Sequence, residues 1–282
     1  MRIVPTEDGG SIDLSGHTLV LPGCGGLAHL GELSVDALIS TFGLRRVAIV
    51  QSSHLLPVAM ASAWEAQQQG ADLTLTTAAE VYQGAGAPGL SVLQLRSAVV
   101  EGRRRALARE LWAFARKAGA AQMLIVASCS SHVKVDADFA ANTELRYVAV
   151  GTSGAEVGFG QDVLPLGHGL HEEELSGEGR GLAATRRLLK GGGLARPLLL
   201  LAAEDAEEAG GSPDTKGSLG ILCLMGLTSE VLDMRLAEQL VGAACSCLTG
   251  RHLKGGAAPS LRPPLSWRFQ VEAMHSARHI WG

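Results

Sequence analysis

Residues 89–132 read GLSVLQLRSAVVEGRRRALARELWAFARKAGAAQMLIVASCSSH, and this stretch decides the fold. Its start, residues 90–95, alternates apolar and polar side chains with β-branched support, which predicts a strand. Residues 123–127 are a short unbroken apolar run, as in a strand covered on both faces. Between them Leu107, Leu111, Phe114 and Ala118 recur at helical spacing, while Arg103, Arg104, Arg105, Arg109, Arg116 and Lys117 take the wet side. Gly119 follows as the C′ glycine that ends such a helix. Strand, amphipathic helix and buried strand in this order predict a right-handed crossover in a mostly parallel sheet, and so an α/β fold.

Moving outward, residues 18–21 predict an earlier strand, followed by the turn Gly23-Cys24-Gly25-Gly26 and a helix over 27–42. Leu30, Leu33, Ala37, Leu38 and Thr41 form the inner face of that helix, and a strand at 46–50 closes a first βαβ unit. Residues 73–76 and 80–82 are expected to be a short strand pair, and 146–150 a further strand. Residues 151–181 are rich in glycine and acids, which predicts long irregular connections; 182–189 predict a short helix closed by Gly191-Gly192-Gly193. The apolar residues 197–202 precede AEDAEEAGGSPDTKG at 203–217, read as a mobile acidic loop. A strand at 219–225 and a final helix over 229–248, capped by Thr228 or Ser229, complete a single domain at 1–250. Gly255, Gly256, Pro259, Pro263 and Pro264 then predict an extended C-terminal tail at 251–282.

With 282 residues, 46% of them hydrophobic, the chain can build a sizeable core. Its net charge of −4 offers no field for nucleic acid, and no apolar run reaches the ~18 residues of a membrane span. Neither nucleic acid nor membrane is expected as a partner. Acids and glycines crowd the first residues, the wrong composition for a signal or transit peptide, so an intracellular protein is expected. The five cysteines, Cys24, Cys129, Cys223, Cys245 and Cys247, have no metal-ligand spacing and read as buried reduced thiols. Cys245 and Cys247, two apart on a helix, point to different faces.

Several places could carry chemistry. The turn GCGGLA fits G-x-G-x-x-A, a dinucleotide fingerprint, but Val50 is followed by Gln51, Ser52 and Ser53, so the acid for a ribose hydroxyl is missing. A tight strand-to-helix turn accounts for the glycines better. Cys24 at that turn could be a nucleophile served by His29, His54 or His132, although the sequence pairs it with none of them. Ser128-Cys129-Ser130-Ser131-His132, followed by Asp136 and Asp138, lies at the carboxyl end of a core strand, where open α/β sheets place ligands. Side chains capping their own loop explain that composition equally. The basic helix face reads as solvated, or as a dock for an acidic protein surface. At the chain's end, Ile280-Trp281-Gly282 puts an aliphatic group, an aromatic ring and a carboxylate together, a combination suited to a partner's pocket.

The stretches DLSGHTLVLP, ELSVDALISTFGLRRVAIV, AAEVYQ, VLQLRSAVV and LIVASCSSH, in that order and spacing, resemble the proteasome assembly chaperone family. The resemblance runs from about Asp13 to Asp138, with Gly191-Gly192-Gly193, the strand near Leu222 and Ser266-Trp267-Arg268 as later features. It implies a three-layer α/β/α sandwich with a mostly parallel central sheet, no catalytic activity and no cofactor. It also implies a heterodimer with proteasome assembly chaperone 1 that binds proteasome α-subunits while their ring is assembled, in the cytoplasm and also the nucleus. Such chaperones can end in a hydrophobic–tyrosine–any motif that enters pockets between α-subunits. Ile280, Trp281 and Gly282 match it position for position, with Trp281 in place of tyrosine. GCGGLAHLG is longer and richer in glycine than the family's usual GNVG-like loop. The alternative is a small-molecule enzyme of the nucleoside phosphorylase or peptidase-like α/β type, using Cys24 or the Ser128 to His132 cluster.

Overall fold

A computed structural model describes residues 1–6, 12–64, 75–134, 139–151, 162–166, 189–208, 219–229, 233–252 and 259–267. The strands are β1 (Arg2–Pro5), β2 (Thr18–Pro22), β3 (Arg45–Gln51), β4 (Ala59–Ala61), β5 (Leu75–Thr77), β6 (Ala79–Gln83), β7 (Leu90–Leu95), β8 (Gln122–Ser130), β9 (Leu145–Val150), β10 (Leu164–Pro165) and β11 (Gly220–Thr228). The longer helices are α1 (Leu30–Phe42), α2 (Arg104–Lys117), α3 (Ala195–Glu208) and α4 (Met234–His252). Among the described residues nine strands form one sheet in the order β1-β3-β6-β7-β2-β8-β11-β9-β10.

The centre of this sheet, β7-β2-β8-β11, is parallel, as residues 89–132 predict. Antiparallel pairs flank it, β6 with β7 and β3, β1 with β3, and β9 with β11. β7 and β8 both border β2, so the crossover through α2 spans β2. β3 runs in the direction of β2 but lies beyond β7 and β6, which makes the first βαβ unit an open one. Every residue of β2, β7 and β11 is buried, and the apolar run in β8 is covered on both faces as expected. The alternation in β7 therefore marks no wet face. Ser91 hydrogen-bonds His17 and Gln83, both at 2.8 Å, and Gln94 reaches the Glu32 carbonyl at 2.9 Å.

The helices form the outer layers of an α/β/α sandwich. Leu107, Leu111, Leu198 and Leu199 of α2 and α3 join the core on one face of the sheet; Leu30, Leu38, Leu240 and Leu248 of α1 and α4 join the core on the other. α2 buries Leu107 and Leu111 of its expected inner face, and Gly119 follows it at φ +78°. The glycine accepts this left-handed conformation without steric cost.

Four expectations change. β5 pairs with β4 in a separate ribbon instead of with β6. The reason is local: the buried Glu80 carboxylate accepts the Thr77 amide at 3.0 Å and turns the chain between the two strands. Residues 203–208, expected in the acidic loop, close α3, because Leu198, Leu199 and Ala202 bury one side of that helix. The rest of the loop, 209–217, lies outside the described residues, as do 182–188 and most of 151–181. β11 continues to Thr228, and the cap of α4 is Asp233, whose Oδ1 accepts the amides of Arg235 at 2.9 Å and Leu236 at 3.2 Å.

The expected tail also begins differently. α4 runs on to His252, and residues 259–267 return to the α1–α4 face. There the Arg262 amide donates to Thr41 Oγ1 at 3.1 Å, the Ser266 amide to the Ala63 carbonyl at 3.0 Å, and Trp267 is buried. None of the five cysteines is in a disulfide; four are buried and Cys247 is half-buried. Among the described residues no helix is long and apolar enough to cross a membrane, and no group of three or more His, Cys, Asp or Glu is placed to hold a metal ion.

Candidate functional site

β2 leads into α1 on one face of the sheet, and its neighbour β7 leads into α2 on the other. Their carboxyl ends form a topological switch point, where open α/β sheets bind ligands. The Gly23–Gly26 turn, Cys24 and the start of α2 meet here, with the polar exit of β8 beside them.

The chain's own backbone fills this edge. The Leu27 amide, which would face a pyrophosphate, donates to the Gly191 carbonyl at 2.9 Å. Ser128 Oγ donates to the same carbonyl at 3.1 Å, the Ser130 amide to the Lys190 carbonyl at 2.8 Å, and the Leu194 amide to the Cys24 carbonyl at 3.1 Å. Glycine is required for this approach. A Cβ on Gly26 would lie 2.6 Å from Ser128 Oγ, and one on Gly193, at φ +56°, would run into the Cys24 carbonyl oxygen. The turn is thus a packing device, as the missing ribose acid suggests. Beyond it, Ala28 and His29 both adopt left-handed backbone, at a cost of roughly 1–2 kcal/mol each. The bend brings α1 so close to β8 that a Cβ on Gly31 would collide with the Val126 carbonyl.

Cys24 is 2% exposed, and its Sγ donates to the Ser97 carbonyl at 3.1 Å, tying the exits of β2 and β7 together. Burial, reinforced by the Glu32 carboxylate, pushes its thiol up from 9.0 to about 12, the reverse of what a nucleophile needs. None of its candidate bases hydrogen-bonds it. His29 is exposed with Nδ1 3.8 Å from Glu32 Oε1, His54 Nε2 lies 3.7 Å from Glu110, and His132 is exposed on a short 3-10 turn. In the Ser128 to His132 cluster, Cys129 is buried and Ser130 Oγ accepts the His132 amide at 3.3 Å. Loop capping explains the described part of the cluster; Asp136 and Asp138 lie outside the described residues.

The wet side of α2 stands beside this edge. Arg103, Arg104, Arg105, Arg109, Arg116 and Lys117 are all exposed, and Arg116 Nη1 contacts both carboxylate oxygens of Asp205 on α3 at 2.9 Å. Glu110 is turned away from them, accepting from Ser52 Oγ at 2.7 Å and from the Met1 amino group at 3.0 Å.

Sequence reading passes over a buried polar network between α1 and β7. Arg96 Nη2 and Gln94 Nε2 both reach Asp36 Oδ1 at 2.5 Å, and the Arg96 guanidinium lies 4.8 Å from the Trp64 ring centroid. Burial raises the Asp36 carboxyl above its usual range, against the pull of Arg96. One strand away, Glu80 accepts from Tyr82 Oη at 2.5 Å and Arg46 Nη1 at 2.7 Å. The signal was present: Gln94 and Arg96 interrupt an apolar run in LQLRS, and Asp36 lies on the apolar face of α1. Asp36, Gln94 and Arg96 clamp α1 to the sheet, while Arg46, Trp64 and Tyr82 line a hollow of about 440 Å³ at the end of α1. The sequence-derived tail residues Ile280, Trp281 and Gly282 lie outside the described residues.

The PAC2 family model matches residues 20–177. Proteasome assembly chaperone 2 of Xenopus tropicalis is 28% identical over 134 residues, covering 48% of this chain and 50% of that protein. The Homo sapiens protein of the same name is 26% identical over 136 residues, with the same coverage of 48% and 50%. The chain thus spans about half the length of the curated relatives it matches. Among solved structures, the archaeal proteasome activator PbaB of Pyrococcus furiosus aligns with a TM-score of 0.59 at 14% identity, over 100% of this chain and 98% of that one. PbaA of the same organism, an archaeal homolog of proteasome-assembly chaperone, aligns with a TM-score of 0.57 at 16% identity, over 96% and 90%. At such identities these two establish the fold.

Proposed function

Because the chain belongs to the PAC2 family, we propose that it is a non-catalytic subunit of a proteasome assembly chaperone. It pairs with proteasome assembly chaperone 1, and the heterodimer holds proteasome α-subunits in register while their ring forms, in the cytoplasm and also the nucleus. Its work is binding energy. The observation that carries this reading is the filled carboxyl edge of the sheet. Gly191 and its neighbours occupy the place that a small-molecule enzyme of this architecture gives to its ligand. The names of the relatives point the same way.

The C-terminal residues act as the anchor. Ile280 and Trp281 insert into a pocket between α-subunits, and the Gly282 carboxylate pairs there with a cation or backbone amides. Trp281 retains the ring of the family tyrosine and gives up its hydroxyl. Deleting 280–282 weakens capture of α-subunits in a pull-down read by mass spectrometry, while thermal melting of the chain is unchanged. Undiminished capture after the deletion rejects the tail's role.

A further inference from the structure

Helix α2 opens with cations where its own physics opposes them. Arg103 is the N-cap residue and Arg104 and Arg105 open the first turn, at the positive end of the helix dipole, with no acid in that turn and no side-chain cap. Arg105 and Arg109, four residues apart, repel each other along one side. Glu110 does not relieve them, since it is committed to Ser52 and Met1 and has no cation three or four residues away. The side chains of Arg103, Arg104, Arg105, Arg109 and Lys117 make no hydrogen bond or ion pair with any other described residue. The arrangement weakens the free protein and becomes favourable when an anionic surface covers it.

The fold shows the kind of surface that fits. At the far end of the same helix an acid of a neighbouring helix, Asp205, already meets Arg116 through both carboxylate oxygens. No described acid of α3 reaches Arg105 or Arg109. Beside the first turn a hollow of about 480 Å³ opens between Val99, Val100, Glu101, Gly102, Arg104 and Arg105, with room for side chains of a second protein. Nucleic acid fits less well, because the chain is net acidic and the aromatic residues of the helix, Trp112 and Phe114, are buried and half-buried.

We propose that the N-terminal part of the basic α2 face, centred on Arg105 and Arg109, docks an acidic surface of a proteasome α-subunit and continues the acid-to-arginine packing begun by α3. The inference rests on the chaperone reading above. To test it, purified α-subunits are immobilised and binding of the full chain is compared with R105E/R109E and R105Q/R109Q at low and high salt, beside thermal melts of all three. The parent's binding weakens with salt, R105E/R109E binds roughly tenfold more weakly or worse, and R105Q/R109Q falls between. The melting temperatures of both variants equal or exceed the parent's, because a repulsion has been removed.

Binding that survives charge reversal and high salt overturns the docking surface and leaves the chaperone reading standing. A parent chain that binds no α-subunit overturns both. A lower melting temperature in both variants makes the arginines structural and overturns the proposal. So does a single-stranded oligonucleotide that binds the parent more tightly than any subunit and is lost in R105E/R109E, which assigns the face to nucleic acid.

Discussion

Cys24 has the position of a reactive residue and the surroundings of an inert one. It follows a core strand at the carboxyl edge of the sheet, yet its sulfur is spent on a carbonyl 73 residues away in sequence and sealed from water. Because its folded pKa is raised from 9.0 to about 12, the stability contributed by the neutral thiol is complete below pH 9 and is lost as pH climbs toward 12. In native protein at pH 8, iodoacetamide therefore labels Cys24 more slowly than the half-buried Cys247, as peptide mass spectrometry can resolve; equal rates contradict this account. The sequence places Cys24 in a turn but leaves its direction open, because four residues of which three are glycine constrain the backbone too little. Its acceptor, Ser97, comes from a different strand exit, and only the tertiary fold brings the two together. Asp36 escaped for a related reason: a helix face defined by apolar period takes no account of an acid whose cation, Arg96, comes from β7's exit.

At the scale of elements, the same substitution has opposite effects in two helices. Gly242 lies in α4 with nothing near the position of a Cβ, so Gly242→Ala raises stability by about 0.5–1 kcal/mol through helix propensity. Gly31 opens α1 against the Val126 carbonyl, and there the collision outweighs the propensity gain. Gly31→Ala costs about 1–3 kcal/mol. Urea unfolding of both variants checks the signs. Local pattern was enough to place α1, α2, β2, β8 and β11, where apolar spacing or an unbroken run reports burial directly, but not their ends: the left-handed Ala28 and His29 delay the helix expected from 27 until Leu30, and β11 runs past 225 to Thr228. It failed at residues 203–208, whose acids look like loop, because their helix is held by Leu198, Leu199 and Ala202 one and two turns earlier. It failed again at the start of α4, where Thr228 and Ser229 resemble caps but the first is still paired in β11.

At the scale of the whole molecule, strand order was beyond a local reading, since β2 pairs with two strands that follow it by about seventy and a hundred residues. The resulting centre carries a filled edge, and on this feature the proposed chaperone and the alternative enzyme make opposite predictions. On the chaperone proposal, inorganic phosphate or nucleosides at millimolar concentration leave the melting temperature unchanged, because stabilisation requires a site that the native state alone offers. A concentration-dependent rise would restore the enzyme as the better reading. The return of residues 259–267 to the α1–α4 face has a further consequence. Residues 259–267 act as a strap over that layer, fastened to Thr41 of α1 by a hydrogen bond that spans 221 residues of sequence and seated by the buried Trp267. The packing of α1 on α4 is therefore finished only when this late segment of the chain is in place, and Trp267→Ala would leave a cavity beneath the strap.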